Sequence, residues 1–355
     1  MKIDGFTMGK NASKLFYPMK QSIMSILPIV DTFIVVLGRG DEEDNTRKEI
    51  ESINSPKIKI IDTDWDIEKY PKGMEHAHQT DIAKSYCTGD WLFYLQADEV
   101  IHEKDLSVIQ QKCRELLDYN EVEGLVFNYL HFWGDYWHLQ EGHCWYREEI
   151  RIIRNNPEIH SWQSAQSFRK IPEFDGLSYR RKKGTIKLKV AKVNADVYHY
   201  GWVRPPELMQ KKNKSFITNH IGKKKVEKLE QENAFTVPFD YGNMNRLNKF
   251  SGSHPAVMND WINKFNWDKQ LRKTGRLRSF NKLILKHDML RYRIISWVEK
   301  YLLFDVQLGG FRNFIQVRKK KLTTKAHKGI SQSRAKEKKD HRDTNVPELK
   351  SNQIL

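Results

Sequence analysis

The stretch Thr88-Gly-Asp-Trp-Leu-Phe-Tyr-Leu-Gln-Ala-Asp-Glu-Val100 decides the reading of the chain. Its centre, Trp91 to Leu95, is apolar at every position, which suits a strand buried on both faces of a parallel sheet. The run stops at Gln96-Ala97-Asp98-Glu99, so an acidic pair stands at the mouth of that strand. Three more apolar runs precede it. Ile3 to Met8 reads as a first strand, Phe33 to Leu37 ends at Gly38-Arg39-Gly40, and Ile58 to Ile61 ends at Asp62.

Helical patterns separate these runs. Leu15 to Leu27 carries apolar residues at Leu15, Met19, Ile23, Ile26 and Leu27. Met74 to Tyr86 follows Pro71-Lys72-Gly73, and Asp105 to Tyr119 opens on an acidic first turn. Alternating strands and helices predict an α/β doubly wound sheet, whose ligands bind beyond the carboxyl ends of the strands. Those ends are the acidic loops Asp41–Asp44, Asp62–Asp66 and Asp98–Glu99.

Beyond residue 120 the pattern changes. Gly124 to Phe132, Arg147 to Ile153, Thr185 to Val190 and Asp196 to Tyr200 read as strands. Between them lies a loop-rich region crowded with Trp133, Trp137, His138, Trp145, His160 and Trp162. Such a region forms either a hydrophobic core under long loops or a platform for a polar ligand. Pro205-Pro206 starts a helix running to about Ile221, and Asn281 to Leu303 carries a long amphipathic pattern. Residues 319–355 are polar and Lys-rich, and read as disordered.

Composition narrows the class. The 355 residues carry 61 Lys+Arg against 45 Asp+Glu, a net charge of +16, unevenly placed. Residues 1–200 hold 27 basic and 31 acidic residues, whereas residues 201–355 hold 34 and 14. A near-neutral catalytic region with a basic appendage has that distribution; a uniformly basic nucleic-acid binder does not. Hydrophobic content of 39% is enough for a packed core, and no run reaches the roughly 18 apolar residues of a membrane span. Cys87, Cys113 and Cys144 have neither disulfide-framework nor metal-knuckle spacing, so a reducing cytoplasm is the expected setting.

The opening hundred residues resemble the family 2 glycosyltransferases. That family has a Gly-Asp-aromatic-apolar strand running into Asp-x-Asp, matched here by Gly89-Asp90-Trp91 through Asp98. Gly5-Phe-Thr-Met-Gly-Lys-Asn-Ala-Ser-Lys-Leu15, Ser25-Ile-Leu-Pro-Ile-Val-Asp31 with Phe33–Leu37, and Asp41-Glu-Glu-Asp-Asn-Thr46 are similar to its first strand, first helix, second strand and following loop. The match is close over residues 1–100, looser to 200, and fades beyond.

The resemblance implies a GT-A-type (Rossmann-like) mixed sheet flanked by helices, followed by a mainly helical C-terminal region. Residues 1–202 would form the catalytic domain, 1–100 its nucleotide-sugar half and 101–202 its acceptor half. Residues 203–318 would be the helical region and 319–355 a basic tail. The implied reaction moves a sugar from a UDP- or GDP-sugar to a glycan or lipid-linked acceptor, with inversion. The implied cofactor is Mn²⁺ or Mg²⁺. Asp98 would be its carboxylate ligand, His199 in Asp196-Val-Tyr-His-Tyr-Gly-Trp-Val-Arg204 a second ligand, and Glu99 its outer support. Gln96 stands where the family has its first acid, a departure that weakens the donor set.

Thr7, Lys10, Asp41, Asp44, Asp66 and Asp81 are the further candidates for holding the nucleotide-sugar with Gln96 and Asp98, and Arg204 is a candidate for the diphosphate. Relatives acting on cell-surface glycolipids have Arg-x-x-Arg, a hairpin and then Val-His-Glu. Here Arg151-Ile-Ile-Arg154 is followed by Gln166-Ser167 at the His-Glu positions, so the acceptor base is sought at Glu149 or Asp175. Trp145, Trp162 and Gln166 are the candidate acceptor contacts.

Three other readings compete. A nucleotidyltransferase would carry a Gly-rich phosphate loop, which Gly5 to Lys10 lacks. A nucleic-acid binder would interleave basic and aromatic residues on a folded face, whereas Lys319–Lys321 and Arg334–Lys339 fall in the tail. An inactive relative would account for Gln96 and Gln166. The basic, partly apolar segment from Leu283 to Leu303 either packs on the catalytic domain or contacts an anionic membrane peripherally.

Overall fold

The computed structural model describes residues 1–274, 287, 289–304, 306–309 and 312–317. The elements of the first half are β1 (Ile3–Gly9), α1 (Met19–Ile26), β2 (Thr32–Gly38), α2 (Thr46–Glu51), β3 (Ile58–Thr63), α3 (Met74–Ser85), β4 (Trp91–Tyr94), β5 (Glu99–Ile101) and α4 (Leu106–Glu115). There follow β6 (Gly124–Trp133), β7 (His138–Leu139), β8 (Glu148–Arg154), β9 (Ile159–Trp162), β10 (Ser167–Lys170) and β11 (Ile186–Trp202). The C-terminal region holds α5 (Pro206–His220), α6 (Lys223–Gln231), β12 (Asn248–Lys249), α7 (Asn259–Ile262), α8 (Leu290–Tyr301) and β13 (Phe314–Gln316).

The apolar runs are the centre of the sheet. Its strand order is β3-β2-β1-β4-β8-β6-β11-β10-β9. β3, β2, β1 and β4 are mutually parallel, β8 is antiparallel to both β4 and β6, and β11 runs parallel to β6. The protein thus has the mixed sheet flanked by helices that the sequence leads one to expect. β1 is buried along its whole length because side chains on both of its faces meet a packed layer. One layer joins Met19, Ile23, Phe33, Val35, Trp91 and Ile109; the other joins Phe6, Ile34, Val36, Ala83, Leu92 and Phe168.

Four local expectations change. The first helix begins only after Pro18, since residues 11–16 form turns. The acidic stretch at 41–46 leads into a short helix, α2. The two strands expected at 185–190 and 196–200 are one strand, β11, with an irregularity between Lys192 and Asp196. Part of the aromatic loop region is the hairpin β9–β10.

A third core is built from aromatic residues. Phe132, Trp133, Tyr136, Tyr198, Tyr200 and Trp267 are buried together, with Trp261 and Met258 from the C-terminal region. Trp133 Nε1 donates to the Tyr241 carbonyl and Trp267 Nε1 to the Gly134 carbonyl, both at 2.8 Å. Among its described residues the C-terminal region has the helices α5, α6, α7 and α8, with irregular chain and short 3₁₀ turns on either side of α7. Residues 281–286 and 288 of the expected helical pattern, and the tail at 319–355, lie outside the described residues. Among the described residues no helix is long and apolar enough to cross a membrane, and no disulfide joins the three cysteines.

Candidate active site

The C-terminal edge of the parallel strands carries two neighbouring features. The first is an open cavity of about 490 Å³ at the ends of β1, β2 and β3, lined by Lys10, Arg39, Asp41, Asp44, Arg47 and Asp64 among others. Gly38 is needed at its floor: a Cβ there would stand 2.3 Å from Trp65 Nε1, so only glycine lets the indole lie against the end of β2. Lys10 Nζ lies 5.9 Å from the centre of that ring.

The carboxylates around this cavity are mostly engaged. Asp44 Oδ1 accepts from the hydroxyls of Ser13 and Thr46, at 2.7 and 2.5 Å, and so holds the start of α2. Asp62 pairs with Arg47, and Asp64 with Arg39 at 3.4 Å. Lys14 donates to Asp41 at 2.7 Å and holds that carboxyl below its ordinary range. Asp66 is a turn former, accepting from the amides of Glu68 and Lys69. Thr7 spends its hydroxyl on the Leu95 carbonyl at 2.6 Å, clamping β1 to the end of β4. Of the expected nucleotide contacts, Lys10, Asp41 and Asp44 line the cavity, and Thr7 supports it from beneath.

The second feature lies at the ends of β4 and β11. Asp98 Oδ2 is 3.8 Å from His199 Nε2 and 3.8 Å from Lys212 Nζ. The Tyr146 carbonyl can only accept, so His131 Nε2 donates to it at 2.7 Å. A neutral His131 then accepts at Nδ1 from His199 Nδ1, 3.0 Å away. Burial lowers both imidazole pKa values, and for His199 it outweighs the nearby Asp98. A neutral His199 therefore presents a bare Nε2 lone pair towards Asp98.

Gly201 lets both side chains lie close against the backbone, since a Cβ built there would sit 2.6 Å from both Asp98 Oδ2 and His199 Nε2. A carboxylate oxygen and an imidazole lone pair thus stand 3.8 Å apart, a donor pair whose type and spacing fit a shared divalent cation of the Mn²⁺ or Mg²⁺ class. Among the described residues no third His, Cys, Asp or Glu joins them, so the protein supplies two donors. Burial works to raise the Asp98 pKa, but the neighbouring cations Lys212 and Arg204, with His199 whenever it is protonated, hold it below the ordinary value. Lys212 is itself brought down to about 7, by burial first and by Arg204 second.

The other candidates have different places. Glu99 is committed elsewhere: Arg151 grips it through two bonds of 2.7 Å, and the Tyr129 hydroxyl donates to it at 2.8 Å. Both members of that ion pair are 0% exposed, so the Glu99 carboxylate is a buried brace. Gln96 uses its amide nitrogen on the Ala165 carbonyl at 2.9 Å. Arg204, the candidate for the diphosphate, is buried, donates to the carbonyls of Leu15 and Gly201, and stacks 4.4 Å over Tyr17. Asp81 ties α3 to β9 through His160 Nδ1 and the Ser161 amide, each at 2.7 Å.

The two expected bases sit in different surroundings. Glu149 is enclosed within the protein, and burial, opposed by Arg151, pushes its pKa up to about 8. Asp175 is exposed, but the Ser178 hydroxyl and the amides of Leu177 and Ser178 bring it down to about 2. Trp162 is a core residue, with Arg169 at 3.7 Å over its ring and its Nε1 on the Arg181 carbonyl. Trp145 is half-buried against His131 and Trp133, and Gln166 lends its carbonyl to Arg151 at 3.0 Å.

Sequence reasoning missed Lys212, His131, Gly201, Arg39 and Arg47. Arg39 was readable, being the one charged residue in the Gly-Arg-Gly turn after β2. Lys212 carried no such signal, because it reaches the site from α5.

No family model matches the chain, and no curated protein matches it. Solved structures similar to it are distant. Residues 1–349 of TarS from S. aureus are 12% identical, with 62% of this chain and 65% of that one covered and a TM-score of 0.34. The same protein in complex with UDP gives 11% identity, the same coverage and 0.33. Glucosyl-3-phosphoglycerate synthase from Mycobacterium tuberculosis, in complex with Mn²⁺, UDP and glucosyl-3-phosphoglycerate, is 14% identical over 36% of this chain and 44% of its own, with a TM-score of 0.26. The chain spans less than two thirds of the length of each, and at these scores the likeness carries no functional assignment.

Proposed function

We propose that the protein is a glycosyltransferase that takes a sugar from a UDP- or GDP-sugar and passes it to a glycan or lipid-linked acceptor. The observation that carries this reading is the close approach of Asp98 and His199, 3.8 Å apart against Gly201, on the same sheet edge as the basic and acidic cavity.

The nucleotide would lie in the cavity at the ends of β1–β3, where Lys10, Arg39 and Arg47 supply positive charge and Asp41 accepts from ribose hydroxyls. The loop after β1 joins the two features. Its first residues, Lys10 to Lys14, contact the cavity wall, and Tyr17 lies under Arg204 and Lys212. The diphosphate would run along that loop. Asp98 and His199 would hold the divalent cation, which when bound offsets charge on the leaving diphosphate. Lys212 stands 3.8 Å from Asp98 and adds a second cationic group on the same side. Arg204 lies deeper and acts by keeping Asp98 ionised. Transfer breaks the bond between the anomeric carbon and the diphosphate oxygen and forms one to the acceptor hydroxyl oxygen, whose proton leaves to solvent or a base.

The test is nucleotide binding read by thermal shift. UDP, GDP, CMP and their sugars are each added with and without Mn²⁺. One nucleotide class should raise the melting temperature more with Mn²⁺ than without it, and Asp98→Ala should lose that increment. No stabilisation by any nucleotide, together with salt-sensitive binding to DNA or RNA, would sink the reading.

A further inference from the structure

Helix α8 is packed inside out. Its inward face is polar: Glu299 is fully buried and accepts from His143 Nδ1 at 2.6 Å and from the Leu308 amide at 2.7 Å. Ser296 Oγ accepts from the His143 amide at 2.8 Å. Gln307, just past the helix, donates to the carbonyls of His143 and Trp145 at 3.0 and 2.8 Å. These bonds anchor the helix to the loop between β7 and β8.

The outward face is apolar. Leu290, Ile294, Trp297 and Tyr301 are 69%, 54%, 54% and 60% exposed, and their spacing of four, three and four places them in one stripe along the helix. Phe304, 87% exposed, follows just past its end. At 100° per residue, Arg293 and Lys300 flank the stripe on one side and Arg291 on the other. Glu299, the helix's one acid, faces the other way. Residues 271–300 carry nine Lys and Arg against only Asp288 and Glu299.

We propose that this stripe docks on the surface of an anionic phospholipid bilayer. The apolar side chains would enter the interfacial region, with Trp297 and Tyr301 at headgroup depth, and Arg291, Arg293 and Lys300 would meet lipid phosphates. Charge decides between a bilayer and a second copy. Two such stripes laid together would oppose their flanking cations with no outward acid on either helix to meet them. A bilayer of anionic lipid supplies the complementary charge along the full length of the helix. This proposal does not rest on the donor-site reading, because no residue of the stripe belongs to that site.

The test is co-sedimentation of the full chain with phosphatidylcholine vesicles and with vesicles that also contain phosphatidylglycerol. The protein should pellet with the anionic vesicles, more weakly as salt rises, and stay in solution with the neutral ones. The double variant Ile294→Gln, Trp297→Gln should partition about tenfold less or weaker still. The triple variant Arg291→Gln, Arg293→Gln, Lys300→Gln should lose the preference for anionic lipid. Both should keep the wild-type circular dichroism and melting temperature, since the altered side chains are exposed. Asp98→Ala should pellet like the wild type, which separates this test from that of the donor site. Absence of wild-type binding at low salt would overturn the proposal, as would unchanged binding by both variants. So would a dimer in light scattering that the double variant converts to monomer.

Discussion

Gly201 shows how much one missing methyl group can decide. Gly201→Ala places a carbon where the Asp98 oxygen and the His199 nitrogen converge. We expect the variant to keep its unliganded melting temperature within about 2 °C and to lose the Mn²⁺-dependent part of nucleotide stabilisation. Thermal shift with and without the metal reads both. Glu149 gives a second prediction. Its folded pKa of about 8 lies above the model-peptide 4.5, so the folded protein binds the extra proton between those values. Its contribution is fully present below pH 4.5 and is lost as pH rises through 8. Glu149→Gln removes that dependence, so in urea unfolding the variant should gain on the wild type between pH 5 and pH 8. Asp98 and His199 could be singled out because a strand-end acid and a strand histidine have a recognisable setting. The surroundings of Glu149 and Asp175 could not be read, because sequence does not show whether a carboxylate is enclosed or already holding a turn.

Among the elements, the Glu99–Arg151 pair does the most to position the site. Glu99 opens β5 one residue after Asp98, and Arg151 comes from β8, so the pair fixes the loop bearing Asp98 to the one antiparallel strand at the middle of the sheet. Breaking a buried pair from one side leaves an uncompensated charge, so Arg151→Met should cost about 3–5 kcal/mol in urea unfolding. Glu99→Gln with Arg151→Met should recover part of that loss. The apolar runs made β1 to β4 plain in the sequence, since only an element buried on both sides lacks polar alternation. β11 was harder, because the irregularity between Lys192 and Asp196 breaks its period and makes one strand read as two. The β9–β10 hairpin was hidden because its turn, residues 163–166, holds Gln163 and Ala165 at positive φ without a glycine to announce it.

At the scale of the molecule, the boundary expected at residue 202 does not divide two independent bodies. Trp261, Met258 and Trp267 share one aromatic core with Phe132, Trp133 and Tyr200. β13 returns to pair in parallel with Leu188–Val190 of β11. A chain ending at residue 202 should therefore expose that edge and half of the aromatic core. We expect it to be recovered as aggregate, whereas a chain ending at 317 should be monodisperse in size-exclusion chromatography with light scattering. The charge contrast between the halves suggested separability, because charge reports surfaces while the shared core is apolar and has no sign. The return of β13 also bears on inheritance. A recombination event that swapped the first 200 residues for those of another chain would have to carry a matching last strand from more than 100 residues downstream. The first 200 residues are therefore no portable cassette: single substitutions leave the pairing of β13 with β11 intact, whereas exchange of the whole block does not.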